Sequence, residues 1–308
     1  MGGETQERSI GRRFGSLGRG LRVRGRVSGL TAAFLIGSTA LAWGQSLPVE
    51  PARESGTSVT GAFEGWFKNP DGTFGLLLGY YNRNQTQEVE VPVGPNNRME
   101  PGGPDRGQPT HFMPGRGWGL FTVTVPADFG QNKITWTLVA NGKTTVIPAS
   151  LHPDYEISPF TEASVGNTPP VVSFDPAGPT GQGPHAVSIG RMAKAGTAMD
   201  LTVWVSDDGK YTSSSGARPK KAPSPVTVKW IAYRSPGVVK FGNDRPQVVK
   251  AERPGSTAPF NGKATTTVTF SQPGDYILNV TANDYSGEGG NGFQCCWTTG
   301  KVKVSVQP

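Results

Sequence analysis

From residue 58 onward, apolar and polar positions alternate with a period of two, which predicts strands rather than helices. Phe63 to Phe67 and Phe74 to Tyr81 flank Asn69-Pro70-Asp71-Gly72, where proline pre-sets one turn dihedral and Asp-Gly tolerates the positive φ of a hairpin. Thr86 to Val91 is expected to form a third strand. Phe121, Val123 and Val125 alternate with Leu120, Thr122 and Thr124, and Ile134, Trp136 and Leu138 with Thr135 and Thr137; Asn141-Gly142 then turns the chain into Lys143–Ile147. Further on, Leu201/Val203/Val205, Val226/Val228/Trp230, Tyr276/Leu278/Val280 and Val302/Val304/Val306 each place apolar side chains on one face, the last set opposite Lys301, Lys303 and Ser305. The expected fold is all-β: two antiparallel β-sandwich domains, spanning 58–150 and 171–308, joined by the Pro-rich linker 151–170. Residues 45–57 are polar and are expected to form a loose N-terminus.

The 27 prolines and 43 glycines suit many short strands joined by turns. Residues 1–44 have the pattern of a cleaved signal peptide: an arginine-rich start from Arg8 to Arg26, an apolar run from Leu30 to Trp43, and small residues at Ala42 and Gly44. The run is too short for a membrane span, so secretion to the periplasm, the surface or the medium is expected, with no membrane insertion after leader cleavage. The leader also carries much of the charge. The whole chain is formally +7; seven leader arginines set against Glu4 and Glu7 leave the mature chain near +2. Apart from Arg218, Lys220 and Lys221 in one loop there is no concentrated basic face, which argues against nucleic acid as a partner.

The second domain carries the features of a known family. Trp230 sits where immunoglobulin-like domains place their core tryptophan, and Tyr276, following Pro273-Gly274-Asp275, resembles a tyrosine corner. Leu278 takes the place of the second core cysteine, so the domain resembles PKD-, cadherin- or fibronectin-like relatives rather than antibody domains. The resemblance implies an immunoglobulin-like sandwich from Val171 to Val306. The first domain resembles uncharacterised secreted bacterial proteins, a likeness that carries no activity.

Candidate chemistry falls in three places. Cys295 and Cys296 are adjacent, and in an oxidising compartment they form either a vicinal disulfide ring or two packed half-buried thiols. Asp207-Asp208-Gly209 ends one strand while Asp284 and Glu288 follow another. The immunoglobulin resemblance implies that the two loops share one end of the sandwich, so Asp207, Asp208, Asp284 and Glu288 are candidate calcium ligands, or else ordinary turn residues. Tyr285, Phe293 and Trp297 lie at the same end and would suit a sugar ring or a protein partner, with Trp297 alternatively capping the core. Finally, Pro92–Gly119 contains six prolines and seven glycines, together with Arg98, Arg106, His111 and Arg116. It is expected to be an Ω-like flap sealing one end of the sandwich with its arginines solvated; the alternative is a packed anion-binding surface, with Arg98, His111 and Arg116 as candidate contacts. No nucleophile elbow, zinc helix motif or phosphate-cradling loop occurs, so the expected function is a non-catalytic binding, adhesion or structural protein with an extracellular or cell-envelope protein or polysaccharide as partner. The alternatives are an accessory carbohydrate-binding protein, or a hydrolase or redox enzyme using Cys295 and Cys296.

Overall fold

The computed structural model describes residues 53–210, 224–292 and 295–308; residues 1–44, expected to be a leader, and Arg218, Lys220, Lys221 and Phe293 lie outside them. The first half contains β1 (Val59–Lys68), β2 (Phe74–Asn82), β3 (Val89–Glu90), β4 (Asn97–Glu100), β5 (His111–Phe112), β6 (Gly115–Val125), β7 (Lys133–Ala140) and β8 (Lys143–Ser150). Sheet β1-β2-β6 packs on sheet β4-β7-β8, and β3 pairs with β5. Leu76, Leu78, Tyr80, Phe121, Val123, Trp136 and Leu138 fill the space between the sheets. The two-residue turn between β7 and β8 needs positive φ at both positions, and Asn141 (49°) and Gly142 (70°) supply it. The third strand contracts to Val89–Glu90, because the amides of Gln85, Thr86 and Gln87 are drawn off to the carbonyls of Arg53 and Glu54.

The second half contains β9 (Val171–Ser173), β10 (Thr180–Gln182), β11 (Val187–Lys194), β12 (Met199–Asp207), β13 (Thr227–Arg234), β14 (Val239–Phe241), β15 (Val249–Lys250), β16 (Phe260–Phe270), β17 (Gly274–Asn283) and β18 (Trp297–Gln307). One sheet runs β10-β9-β12-β16-β14, with β15 also on β16; the other runs β11-β18-β17-β13. This is the ABED/CFG division of an immunoglobulin-like sandwich, with an extra strand beside the last one. That extra pair departs from the antiparallel expectation. The chain crosses between sheets after β10, and β11 enters the second sheet parallel to β18, from Val187↔Gly300 to Lys194↔Gln307. Trp230 is buried against Phe174 and Phe241. The Tyr276 hydroxyl donates to the Gln272 carbonyl at 2.8 Å, closing the tyrosine corner.

The two sandwiches form one compact unit, Val49–Pro308. Ile231 and Tyr233, on the outer face of β13, are buried in the core of the first sandwich. Thr110 donates its amide to the Tyr233 carbonyl (3.0 Å) and the Tyr233 hydroxyl donates to the Gly107 carbonyl (2.5 Å). Arg234 grips Asp105 with two bonds of 3.0 and 2.7 Å and also donates to the Gln108 carbonyl. The 92–119 connection is therefore a clamp across the sandwiches rather than a cover on one of them. The Pro-rich segment also packs: Trp66 donates to the His152 carbonyl (2.8 Å), Ile157 to the Trp66 carbonyl (2.9 Å), and Phe160 meets Phe67 edge to face.

Candidate functional site

The end of β12 and the start of the β17–β18 loop meet at one pole of the second sandwich. Asp207 is buried, and its Oδ1 accepts the Gly209 amide at 2.8 Å in the tight turn that ends the strand. Its Oδ2 has no hydrogen-bond partner among the described residues. Burial first, and then the charges of Asp284 and Asp208, push the Asp207 carboxyl up to about 7. Burial also raises Asp284, against the donors that hold it: the Ser286 amide (2.8 Å) and hydroxyl (2.6 Å) on Oδ1, and the Asn167 amide nitrogen (2.6 Å) on Oδ2. Asp208 accepts the amide and hydroxyl of Thr168 at 3.1 and 2.9 Å and the Lys210 amide at 2.8 Å.

Cys295 and Cys296 are joined by a disulfide, with Cα atoms 3.5 Å apart, and both are buried. Cys296 has φ 125°, a conformation that L residues rarely adopt. Its carbonyl accepts the Asp284 amide (3.3 Å), and its sulfur lies 3.6 Å from the Asn167 carbonyl oxygen. The loop glycines are there for contact. A Cβ on Gly290 would come within 1.7 Å of the Cys295 carbonyl oxygen, and one on Gly289 within 2.7 Å of the Trp118 ring. Gly289 thus brings the start of the loop against Trp118 of the first sandwich.

The structure brings Asp207, Asp208, Asp284 and the sulfurs into one neighbourhood but leaves Glu288 out. Glu288 pairs with Arg245 (3.0 Å) and Lys229 (3.8 Å). Among the described residues no group of three or more His, Cys, Asp or Glu side chains is arranged to hold a metal ion. Turn amides, Thr168, Ser286 and Asn167 already donate to the oxygens of Asp208 and Asp284. Sequence reasoning missed Asn167, fully buried with its Oδ1 unpartnered, because it stands in a Pro-rich segment without periodicity.

Trp297 is buried with Phe67 and Leu77 between the sandwiches, a position that fits the core-capping alternative expected for it. Tyr285 is half-buried. The three flap candidates each have carboxylates of their own. Arg98 pairs with Glu100 at 3.0 Å. His111 lies 3.1 Å from Glu88 and 2.9 Å from Glu90, one carboxylate on each ring nitrogen, and together these overcome burial to raise its pKa. Arg116 pairs with Glu64 and lies over the Trp118 ring, 4.2 Å from its centroid. Such neutralised pairs leave no shared anion surface among them.

No protein-family model matches the chain, and no curated protein matches it. Among solved structures, the D0-D1 domain of Intimin aligns over 81% of this chain and 98% of its own, at 13% identity and TM-score 0.21. The adhesin InvE of Yersinia pseudotuberculosis aligns over 81% and 58%, at 14% and 0.21. A family 123 glycoside hydrolase from Clostridium perfringens aligns over 39% and 23%, at 9% and 0.20. Likenesses this low carry no functional argument; the fold rests on the strand pairing itself.

Proposed function

We propose that the chain is an exported, non-catalytic binding protein that recognises an extracellular or cell-envelope protein or polysaccharide through the 284–296 pole of its second sandwich. One observation carries this reading: the buried disulfide, Asp284 and Asn167 knit the base of that loop into a rigid mount, and rigid scaffolds carrying loops are how sandwiches bind. The commitment of His111, Arg116 and Glu64 to internal pairs supports a role without catalysis. The sugar-stacking alternative loses Trp297 to the core and keeps only Tyr285 among the described aromatics of the loop. Among the described residues no helix is long and apolar enough to cross a membrane.

The test is retention of the mature chain on insoluble polysaccharides and on immobilised envelope proteins. Wild type is expected to be retained by one of the two classes, and Tyr285→Ala to lower retention at least tenfold while the protein stays folded. Retention by neither class, or retention indifferent to Tyr285→Ala and to replacement of Glu288 by alanine, would sink the reading.

A further inference from the structure

A second place on the molecule, away from the 284–296 pole, has the make-up of a ligand site. Where the clamp, β6 and the outer face of β18 meet, they enclose a cleft of about 520 Å³, a size suited to a small organic ligand. Leu120, Phe121, Val187 and Ile277 supply apolar walls, and four cations border it: Arg106, Arg234, Lys301 and Lys303. The single carboxylate there is Asp105, and both of its oxygens are held by Arg234. Lys301, Lys303 and Arg106 therefore have no carboxylate partner among the described residues, and the lining carries an uncompensated positive charge.

Lys301 is the informative member. Lysines at alternate positions of a strand ordinarily face water, and Lys303 does. Lys301 instead lies under the first sandwich, half-buried, with its ammonium 4.2 Å from the centre of the Tyr233 ring. An ammonium has three donors, and a ring face satisfies them poorly. Burial, then the charges of Arg234 and Lys303, hold its pKa down to about 8 against the opposing Asp105. A desolvated cation whose nearest carboxylate is already bonded to another residue is costly, and an anion in the cleft would remove that cost.

We propose that this cleft binds the oxyanion group (carboxylate, sulfate or phosphate) of a small ligand whose uncharged body lies on the apolar walls, with Lys301 as the central contact and Lys303 and Arg106 beside it. The hydrogen-bonded pair holds the Asp105 carboxyl below its ordinary range and, against burial, the Arg234 guanidinium above its own, so neither titrates near neutrality and Lys301 sets the pH dependence there. Binding is present while its amine is protonated and is lost as pH rises through about 8.

Calorimetric titration of the full mature chain with inorganic phosphate, sulfate and glucuronate, at low ionic strength and pH 6.5, tests this and separates the three chemistries, with glucose as the neutral control. At least one anion is expected to bind at a single site with a dissociation constant of 1 mM or below, at least tenfold more weakly at pH 9. Lys301→Met, which keeps the aliphatic stem over Tyr233, is expected to weaken binding at least tenfold. Lys194→Met is expected to leave it unchanged, because Lys194 is exposed six residues along β11 from Ser188, the register partner of Lys301. In the wild type, acetylation at Lys301, mapped by mass spectrometry at pH 8, is expected to slow when the anion is present. No saturable binding, binding indifferent to Lys301→Met, or acetylation unaffected by the anion overturns the proposal.

Discussion

Asp207 is an acid kept where its charge is unwelcome, and that has a consequence for stability. Its carboxyl titrates near 3.8 in the unfolded chain and about 7 in the folded one. A raised acid favours folding most below the unfolded value, and the advantage is lost as pH rises from about 4 to 7. The difference between the two states corresponds to roughly 4 kcal/mol at the upper end, and the raised Asp284 adds in the same direction. Urea midpoints measured from pH 4 to pH 8 are expected to fall in wild type and to fall much less in Asp207→Asn, which is also expected to be the more stable protein at pH 8. A pH-independent wild type would show that the Asp207 carboxyl is not held out of water. This neighbourhood was partly legible beforehand. Strand alternation fixes where Asp207 and Asp284 fall, and a sandwich topology puts their loops at one end. What supports them, Asn167 from 117 residues away, leaves no mark in local pattern.

Elements reveal more when both of their faces are considered. In β2, Leu76, Leu77 and Leu78 are consecutive and all buried, which a strand with one wet face does not need. Leu76 and Leu78 point into the first sandwich, and Leu77 packs with Phe67 and Trp297 on the other side. The run was therefore a sign of double cover, and the same cover explains why Trp297, at an outward position of β18, is not exposed. The 92–119 clamp left a weaker trace: its Met and aromatic residues indicate that it packs, while its target, Tyr233 and Arg234, depends on long-range geometry. Removing the grip is a test at this scale. Arg234→Met deletes the Asp105 pair and the bonds to the Gln108 carbonyl. Since the Asp105 side chain is about half exposed, the ion pair itself contributes little, and the loss is expected to be about 2 kcal/mol, mostly from the unsatisfied carbonyl. Urea unfolding measures it, and an unchanged midpoint would mean that the clamp is held by Tyr233 alone.

Length alone favours two independent domains for a chain of this size, and each sandwich does have its own core. Three features make the halves depend on one another. Ile231 and Tyr233 from the second sandwich complete the core of the first; Phe67, Leu77 and Trp297 form a cluster that belongs to both; and the Pro-rich segment between them is bonded to Trp66. An inter-domain contact that is apolar and continuous with a core couples unfolding, whereas a polar one does not. A chain of residues 45–308 is therefore expected to melt in a single calorimetric transition, with calorimetric and van't Hoff enthalpies in agreement. Trp297→Ala is the decisive variant. Truncating a buried tryptophan costs about 3–5 kcal/mol, and because its neighbours belong to both sandwiches, the loss should appear in both. Hydrogen exchange is expected to quicken in β2 as well as in β18. Two separated transitions in the wild type, or a variant that loosens only the second sandwich, would show that the shared cluster does not couple them.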